Sequence, residues 1–237
     1  MRTRLIIGSV LAICLSFAGG VASAAANLVP NGDFEAGNTL FTSGYAFVPG
    51  GNSNEGQYTV RSNPFPWNGA FVSIGDHTTC TGLMMVANGS PTSGAIVWQS
   101  QSIAVGAATN YFFEAFVNNV CCAGFSFGPG SESILEFSLS LDGNAPISLG
   151  TITTNLALAG TWEGLSTQFL SPSAGNVVLS LINRNTNAGG NDFAVDDIFF
   201  GTQSTVNPVP EPETYAMLLA GLGLLGFAAR RRKQQAA

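Results

Sequence analysis

Residues 134–141 open on Ile134 and then alternate between apolar and polar side chains. Leu135, Phe137, Leu139 and Leu141 fall on one side of an extended chain, with Glu136, Ser138 and Ser140 on the other. Side chains of a strand change face at every residue, so this pattern predicts a half-buried β-strand, and Asp142-Gly143 supplies the turn that closes it. The same reading picks out strands at Ala70–Ile74, Leu83–Ala87, Ala95–Val105, Tyr111–Asn118, Leu165–Leu170, Val177–Asn183 and Phe193–Phe200. Clusters of Gly, Asn, Ser and Pro separate them, and no apolar pattern of helical period runs for a useful length before Tyr215. Seven or eight short strands with turn signals between them predict an all-β, antiparallel sandwich. A β-helix would need a fixed-length repeat, which the chain lacks.

The two ends break the pattern with unbroken apolar runs. Arg2 and Arg4 precede the run Leu5–Ala18, and Ala22-Ser23-Ala24 and Ala24-Ala25-Ala26 follow as small-residue cleavage sites. That order predicts a signal peptide over residues 1–26, with a mature chain beginning near Ala25 or Asn27. At the other end, Tyr215–Ala229 is apolar and is followed by Arg230, Arg231, Arg232 and Lys233. As a helix it would be about 22 Å long, short of a hydrocarbon core of about 30 Å. The basic block would hold that end in the cytoplasm and leave the main body outside the inner membrane. Pro208, Pro210 and Pro212 keep the preceding stretch extended and open to a processing enzyme.

Val209-Pro210-Glu211-Pro212, the apolar helix and the basic stop Arg230–Lys233 together resemble the PEP-CTERM sorting signal of Gram-negative bacteria. The resemblance implies an exported protein recognised transiently by an exosortase at the inner membrane and delivered to the cell surface or to an extracellular, biofilm-type matrix. An ordinary C-terminal transmembrane anchor is the competing reading. The layout is then a signal peptide (1–26), a β-sandwich domain (27–201), a Pro-rich linker with the VPEP motif (202–213), and a hydrophobic helix with its basic stop (214–233).

Charge alters the picture of the domain itself. The whole chain carries a formal net charge of −6, but its basic residues sit mostly in the two ends. Between residues 27 and 207 only Arg61 and Arg184 face twelve acids, a formal net charge of −10. Such a surface excludes nucleic acid as a partner, because a phosphate backbone needs cations. Divalent cations and neutral polymers fit better. Three cysteines remain in the mature chain, Cys80, Cys121 and Cys122, an odd number for an oxidising compartment. A bridge from Cys80 to Cys121 or Cys122 is the first expectation, and a vicinal Cys121–Cys122 bond the second. No CxxC spacing or neighbouring histidine marks a zinc site.

Asn27-Leu28-Val29-Pro30-Asn31-Gly32-Asp33-Phe34-Glu35 resembles the opening strand of galactose-binding-like jelly rolls, family-4-type carbohydrate-binding modules among them. Asn191-Asp192-Phe193-Ala194-Val195-Asp196-Asp197-Ile198-Phe199-Phe200 resembles their closing strand. The resemblance implies a jelly-roll β-sandwich whose first and last strands lie together, with a structural Ca²⁺ between them. Glu35 and Asp197 would be its ligands, with Asp33 and Asp196 as secondary candidates. Adjacent aspartates on a strand point to opposite faces, so Asp196 and Asp197 would not both ligate unless a bulge intervenes. The competing reading has those acids exposed or capping turns.

His77, the only histidine, follows Asp76, but no G-x-S-x-G elbow offers it a nucleophile, and it reads as a loop histidine hydrogen-bonded to backbone. No carboxylate pair stands out for glycoside cleavage. Trp67, between prolines in Asn63-Pro64-Phe65-Pro66-Trp67, is the leading sugar-stacking platform, with Phe125 and Phe127 from the Gly-rich loop beside it and Tyr58 as a further candidate. Trp98 and Trp162 read as packing. The expectation is a non-enzymatic surface or matrix protein with carbohydrate or exopolysaccharide as its ligand. A purely structural or adhesive matrix protein stands second, and a secreted hydrolase third.

Overall fold

A computed structural model describes residues 26–52, 54–123, 127–206 and the single residue Gly221. The sorting motif Val209–Pro212, the hydrophobic helix and the basic stop Arg230, Arg231, Arg232 and Lys233 lie outside the described residues, as do the signal peptide up to Ala25 and Phe125. Among the described residues no helix is long and apolar enough to cross a membrane.

The chain forms β1 (Phe41–Thr42), β2 (Ala46–Phe47), β3 (Gln57–Arg61), β4 (Met84–Asn88), β5 (Ile96–Ser100), β6 (Ile103–Val105), β7 (Thr109–Asn119), β8 (Ile134–Leu141), β9 (Ile147–Thr153), β10 (Trp162–Ser171), β11 (Gly175–Asn183) and β12 (Phe193–Gly201). Sheet I has the order β1-β5-β11-β8-β9, with β6 also pairing β11. Sheet II has the order β10-β7-β12-β4-β3-β2. Among the described residues only β2 and β3 pair in parallel; the other pairs are antiparallel. The architecture is the all-β sandwich that the alternation predicts.

The alternation on β8 places Leu135, Phe137 and Leu139 in the core between the sheets, beside Val177, Leu179 and Leu181 of β11. Sheet II answers with Phe113, Ala115 and Val117 of β7 and Phe193, Val195, Ile198 and Phe200 of β12. Phe113 and Phe137 meet across the interface with ring centroids 4.9 Å apart. Each such fully buried side chain stabilises the fold by roughly 1.5–3 kcal/mol relative to exposure.

Two expected strands differ in detail, and others were not expected. The run Ala95–Val105 divides into β5 and β6, which pair successive stretches of β11. Ala70–Ile74 is not a strand: it holds one isolated bridge, Phe71 to Cys121, and lies as irregular chain over the outer face of sheet II. β3 and β9 escaped the alternation reading. On β9 only Ile152 is buried, because the strand lies at the edge of its sheet.

The outer face of sheet II explains why β4 is buried at all five positions. Met85 and Ala87 point into the main core, whereas Met84 and Val86 join a second cluster with Trp67, Phe71, Val120 and Ala194. The excursion between β3 and β4 therefore folds back over sheet II as a lid of its own. The first segment of the domain lies along the last strand, as the jelly-roll resemblance implies. Leu28 N donates to Phe200 O at 2.7 Å and Ile198 N to Gly32 O at 2.8 Å. Gly32 is required there, since a Cβ would run into the Ile198 carbonyl.

Candidate functional site

The excursion between β3 and β4 meets sheet II over a β-bulge. Pairing of β12 with β7 shifts between Asp196, opposite Phe116, and Phe199, opposite Glu114, so β12 carries one extra residue. Asp197 takes a left-handed conformation at φ 47°, which aspartate tolerates better than most residues. The bulge removes the opposite-face problem, and both Asp196 and Asp197 reach the same loop. Asp196 Oδ2 accepts from His77 N at 2.8 Å, and Asp196 Oδ1 accepts from Asp197 N at 2.8 Å. Asp197 Oδ2 meets His77 Nδ1 at 2.6 Å and also accepts from Thr78 Oγ1.

His77 is thus held by a carboxylate from β12 rather than by backbone, and its ring stacks on Phe116 at 3.5 Å with Trp162 edge-on at 5.8 Å. Its sequence neighbour Asp76 turns the other way. Asp76 is almost fully buried and shapes the loop itself, accepting from Thr79 N (2.8 Å), Thr79 Oγ1 (3.0 Å) and Gly82 N (2.7 Å). Burial pushes the Asp76 carboxyl upward, but those hydrogen bonds outweigh it and hold it below the ordinary range. Asp196 goes the opposite way: burial, with the charges of Asp197 and Asp76 adding to it, pushes its carboxyl up to about 8 against the single lowering bonds from His77 and Asp197.

Among the described residues no three of the expected calcium ligands Glu35 and Asp197 and the secondary candidates Asp33 and Asp196 lie within 4.8 Å of one another. Glu35 Oε1 is turned to the Leu83 amide at 2.6 Å, and among the described residues exposed Asp33 accepts only from the nearby Glu35 N at 3.3 Å. Asp196 and Asp197 are engaged with the His77 loop. A calcium shell of several oxygens at about 2.3–2.6 Å is not assembled by this set, so the ion rests on the family resemblance alone.

The expected aromatic platform is likewise taken apart. Trp67 is 2% exposed: Trp67 N donates to Pro64 O at 3.0 Å, which folds the Pro-flanked turn inward, and its indole Nε1 donates to Val48 O at 2.9 Å. It packs at 6.1 Å from Phe71 as part of the second core. Tyr58 is buried too, its hydroxyl bonded to Asn38 Oδ1 at 2.8 Å. Phe127 is exposed, but its ring lies against Gly189 and Gly190. Trp98 is core, as its apolar strand predicts, while Trp162 is half-buried with Nε1 on Gly75 O at 3.3 Å.

The first-choice disulfide is also replaced. Cys121 and Cys122 are bonded to each other and buried, whereas Cys80 is free and exposed on the 76–82 loop. Cys121 is fixed in the second layer by its bridge to Phe71, while the Cys80 side of the loop turns to solvent.

What the structure offers in place of an aromatic platform is an open cleft of about 480 Å³, lined by Ser62, Asn63, Ser73, Ile74, Gly75, Cys80 and Thr81. Asn63 Nδ2 donates to Ser73 Oγ across it at 2.7 Å. No charged side chain lines it, and its floor is the same loop that Asp76, Asp196 and Asp197 hold in shape. Individually these are ordinary loop residues, and only the fold of the excursion brings them together.

Sequence reasoning also passed over Glu114. It sits fully buried in the middle of β7, on the outer face of sheet II. Its Oε1 accepts from Ser166 Oγ (2.5 Å) and Ser204 Oγ (2.5 Å); its Oε2 accepts from Thr205 N (2.8 Å), Thr205 Oγ1 (2.6 Å) and Val206 N (3.3 Å). Burial pushes this carboxyl upward, but the bonds from Ser166, Ser204 and Thr205 together hold it below the ordinary range. The one available signal was a glutamate interrupting the aromatic run Tyr111-Phe112-Phe113-Glu114-Ala115-Phe116.

Beyond Val206 the chain enters the segment that fixes its destination. Residues 208–233 match the PEP-CTERM protein-sorting motif. This chain carries a PEP-CTERM tail. A PEP-CTERM tail marks an exported protein sorted to the cell surface. No curated protein matches the PEP-CTERM chain in sequence. Among solved structures it is similar to the Stig cyclase Fisc from Fischerella sp. TAU, in complex with (3Z)-3-(1-methyl-2-pyrrolidinylidene)-3H-indole, with TM-score 0.50 and 15% identity over 75% of this chain and 97% of that one. It is also similar to the Family 16 Carbohydrate Binding Module-2, with TM-score 0.43 and 16% identity over 73% and 99%. A third is TmCBM61 in complex with beta-1,4-galactotriose, with TM-score 0.45 and 11% identity over 76% and 100%. Identities this low speak to the fold alone.

Proposed function

We propose that this PEP-CTERM protein is a non-enzymatic surface or matrix component whose sandwich binds a neutral polysaccharide in the cleft over sheet II. The observation that carries the proposal is the lining of that cleft: hydroxyl and amide groups from Ser62, Asn63, Ser73 and Thr81, with no charge among them. A polyhydroxylated ligand is matched by such donors and acceptors, and a neutral one is favoured because the mature domain is strongly acidic and repels polyanions. The solved carbohydrate-binding modules named above are described as sugar binders, and the same class of ligand is proposed here.

The non-enzymatic reading is supported by the state of His77. Its Nδ1 is paired with Asp197, and among the described residues no serine, threonine or cysteine hydrogen-bonds its Nε2, so a nucleophile–base pair is not assembled. Processing of the tail by an exosortase and a brief stay of the apolar helix in the inner membrane are part of the same proposal, resting on the sorting motif.

The test is affinity electrophoresis of the full-length protein in gels cast with neutral exopolysaccharides. Retardation that Asn63→Ala and Thr81→Ala remove supports the cleft. Folded protein that migrates identically in every gel would leave the structural, cation-binding matrix reading in its place.

A further inference from the structure

β7 ends at Asn119, and the residues that follow carry a second chemically loaded site that neither the cleft nor the His77 loop uses. Cys121 and Cys122 are joined by a disulfide, and Asp192, the residue before β12, lies beside them. The two Sγ atoms and a carboxylate oxygen all lie within 4.8 Å of one another, and all three residues are buried. Among the described residues it is the one group of three Asp, Glu, His or Cys side chains drawn so close. Two sulfurs and a carboxylate suit a thiophilic or borderline divalent cation such as Zn²⁺ or Cd²⁺. They suit Ca²⁺ poorly, because it takes six to eight oxygens.

Bonds that do not involve sulfur hold the frame around these three. Val120 N donates to Asp192 O at 3.1 Å, Cys121 N to Asn119 Oδ1 at 3.0 Å, and Ala123 N to Ala70 O at 2.8 Å. Asp192 Oδ1 accepts from Gly89 N at 3.0 Å, and among the described residues no hydrogen bond holds its Oδ2. Opening the S–S bond therefore frees two sulfur donors without releasing the segment that presents them. Tetrahedral zinc, with Zn–S about 2.3 Å and Zn–O about 2.0–2.2 Å, sets its ligand atoms roughly 3.5–3.8 Å apart, so the two sulfurs must swing apart from their bonded positions once the disulfide opens, while the Asp192 carboxylate already lies within 4.8 Å of both.

We propose that Cys121, Cys122 and Asp192 form a redox-gated site for a thiophilic divalent cation, closed while the disulfide stands and opened by its reduction. The electron pair comes from an external thiol, or from a phosphine that leaves as its oxide, with its oxygen and the two thiol protons taken from water. Two thiols deliver two electrons and two protons, become a disulfide themselves, and leave Cys121 and Cys122 as thiols. The cation then displaces both thiol protons to solvent, forms two metal–sulfur bonds and takes one oxygen of Asp192 as its third protein ligand, with water in the fourth position. Outside the cell the disulfide is the resting form, so the site loads only where a reductant reaches it.

The experiment uses full-length protein, reduced with a phosphine, freed of it under argon and titrated with Cd²⁺ at pH 7, with thiolate-to-cadmium charge-transfer absorbance as the readout. The band should saturate at one Cd²⁺ per chain, with about two protons released. It should be absent from unreduced protein, survive Cys80→Ser, vanish in Cys122→Ser, and be erased by excess Zn²⁺. Asp192→Asn should weaken Cd²⁺ binding about tenfold or more, and Asp192→Glu should restore most of it. A reduced wild-type protein that gives no band, a band that disappears with Cys80→Ser, or unreduced protein that titrates like the reduced form would overturn the proposal. Those three arms decide it on the wild-type site and the exposed Cys80, whether or not the Asp192 variants fold.

Discussion

Glu114→Gln tests the energetics of sheet II most directly. The substitution keeps the shape of the side chain and removes its charge. An amide oxygen placed toward Ser166 and Ser204 leaves the NH₂ group facing Thr205 N and Val206 N, two fixed donors that cannot turn into acceptors. The hydroxyls of Ser166, Ser204 and Thr205 can rotate to follow the change; the two amides cannot. Hydrogen bonds to a charged acceptor contribute about 1.5–3 kcal/mol each, and a buried donor left unpaired costs a further 1–3 kcal/mol, so the variant should lose roughly 3–5 kcal/mol at pH 7. For a domain of this size that corresponds to a melting temperature lower by about 10 °C. Because the wild-type carboxyl is held below the ordinary range, its stabilisation is fully present above about pH 4.3 and is lost as pH falls through the lower folded value. The gap between wild type and variant should therefore close under acid. Thermal melts between pH 2 and 7, with hydrogen exchange at Thr205 and Val206, read both effects. A variant within 1 kcal/mol of wild type at pH 7, with both amides still protected, would refute the reasoning.

Other consequences are measurable in the same way. Trp67→Ala should cost about 3–5 kcal/mol in chemical denaturation while leaving glycan retardation unchanged once the protein is refolded, because the indole is core and not platform. Asp196, pushed up to about 8, contributes stability that is fully present below about pH 3.9 and is lost as pH rises through 8, so the midpoint of denaturation in chelator should fall between pH 5 and 9; a flat profile would contradict the buried carboxyl. Glu35, Asp196 and Asp197 are already held by protein donors, so EDTA should leave the melting temperature within about a degree of its starting value, and a fall of several degrees reversed by Ca²⁺ would reinstate the ion. Mass spectrometry of the cell-associated protein should show loss of the residues beyond about Pro212, and an intact C-terminus there would contradict exosortase processing.

The fold was legible wherever one face of a strand is buried and the other is wet. β8 is the clearest case, and its predicted bounds coincide with the strand. β4 and β12, buried on both faces, were still read from their apolar runs, and the reading failed at an edge strand and at an apolar segment lying outside the sheets. β9 buries only Ile152 at a sheet edge, and Ala70–Ile74 is apolar because it covers sheet II from outside. The candidate site was less legible, for a different reason. Trp67 between prolines has the composition of an exposed loop, yet the excursion folds back and makes it core. The pairing of Asp197 with His77 depends on a one-residue bulge and spans 120 positions of sequence, which no local pattern encodes. Glu114 looked like one acid among twelve, and its partners lie 52 and 90–92 residues away.

The placement of β12 also has a mechanical meaning. The chain leaves the domain through this strand, which lies inside sheet II with β7 on one side and β4 and then the N-terminal segment on the other. A load applied along β12 from its C-terminal side would strain its flanking hydrogen bonds in shear and all together instead of peeling them one at a time. Before that load reaches those rungs it must first draw residues 204–206 off the Glu114 carboxylate.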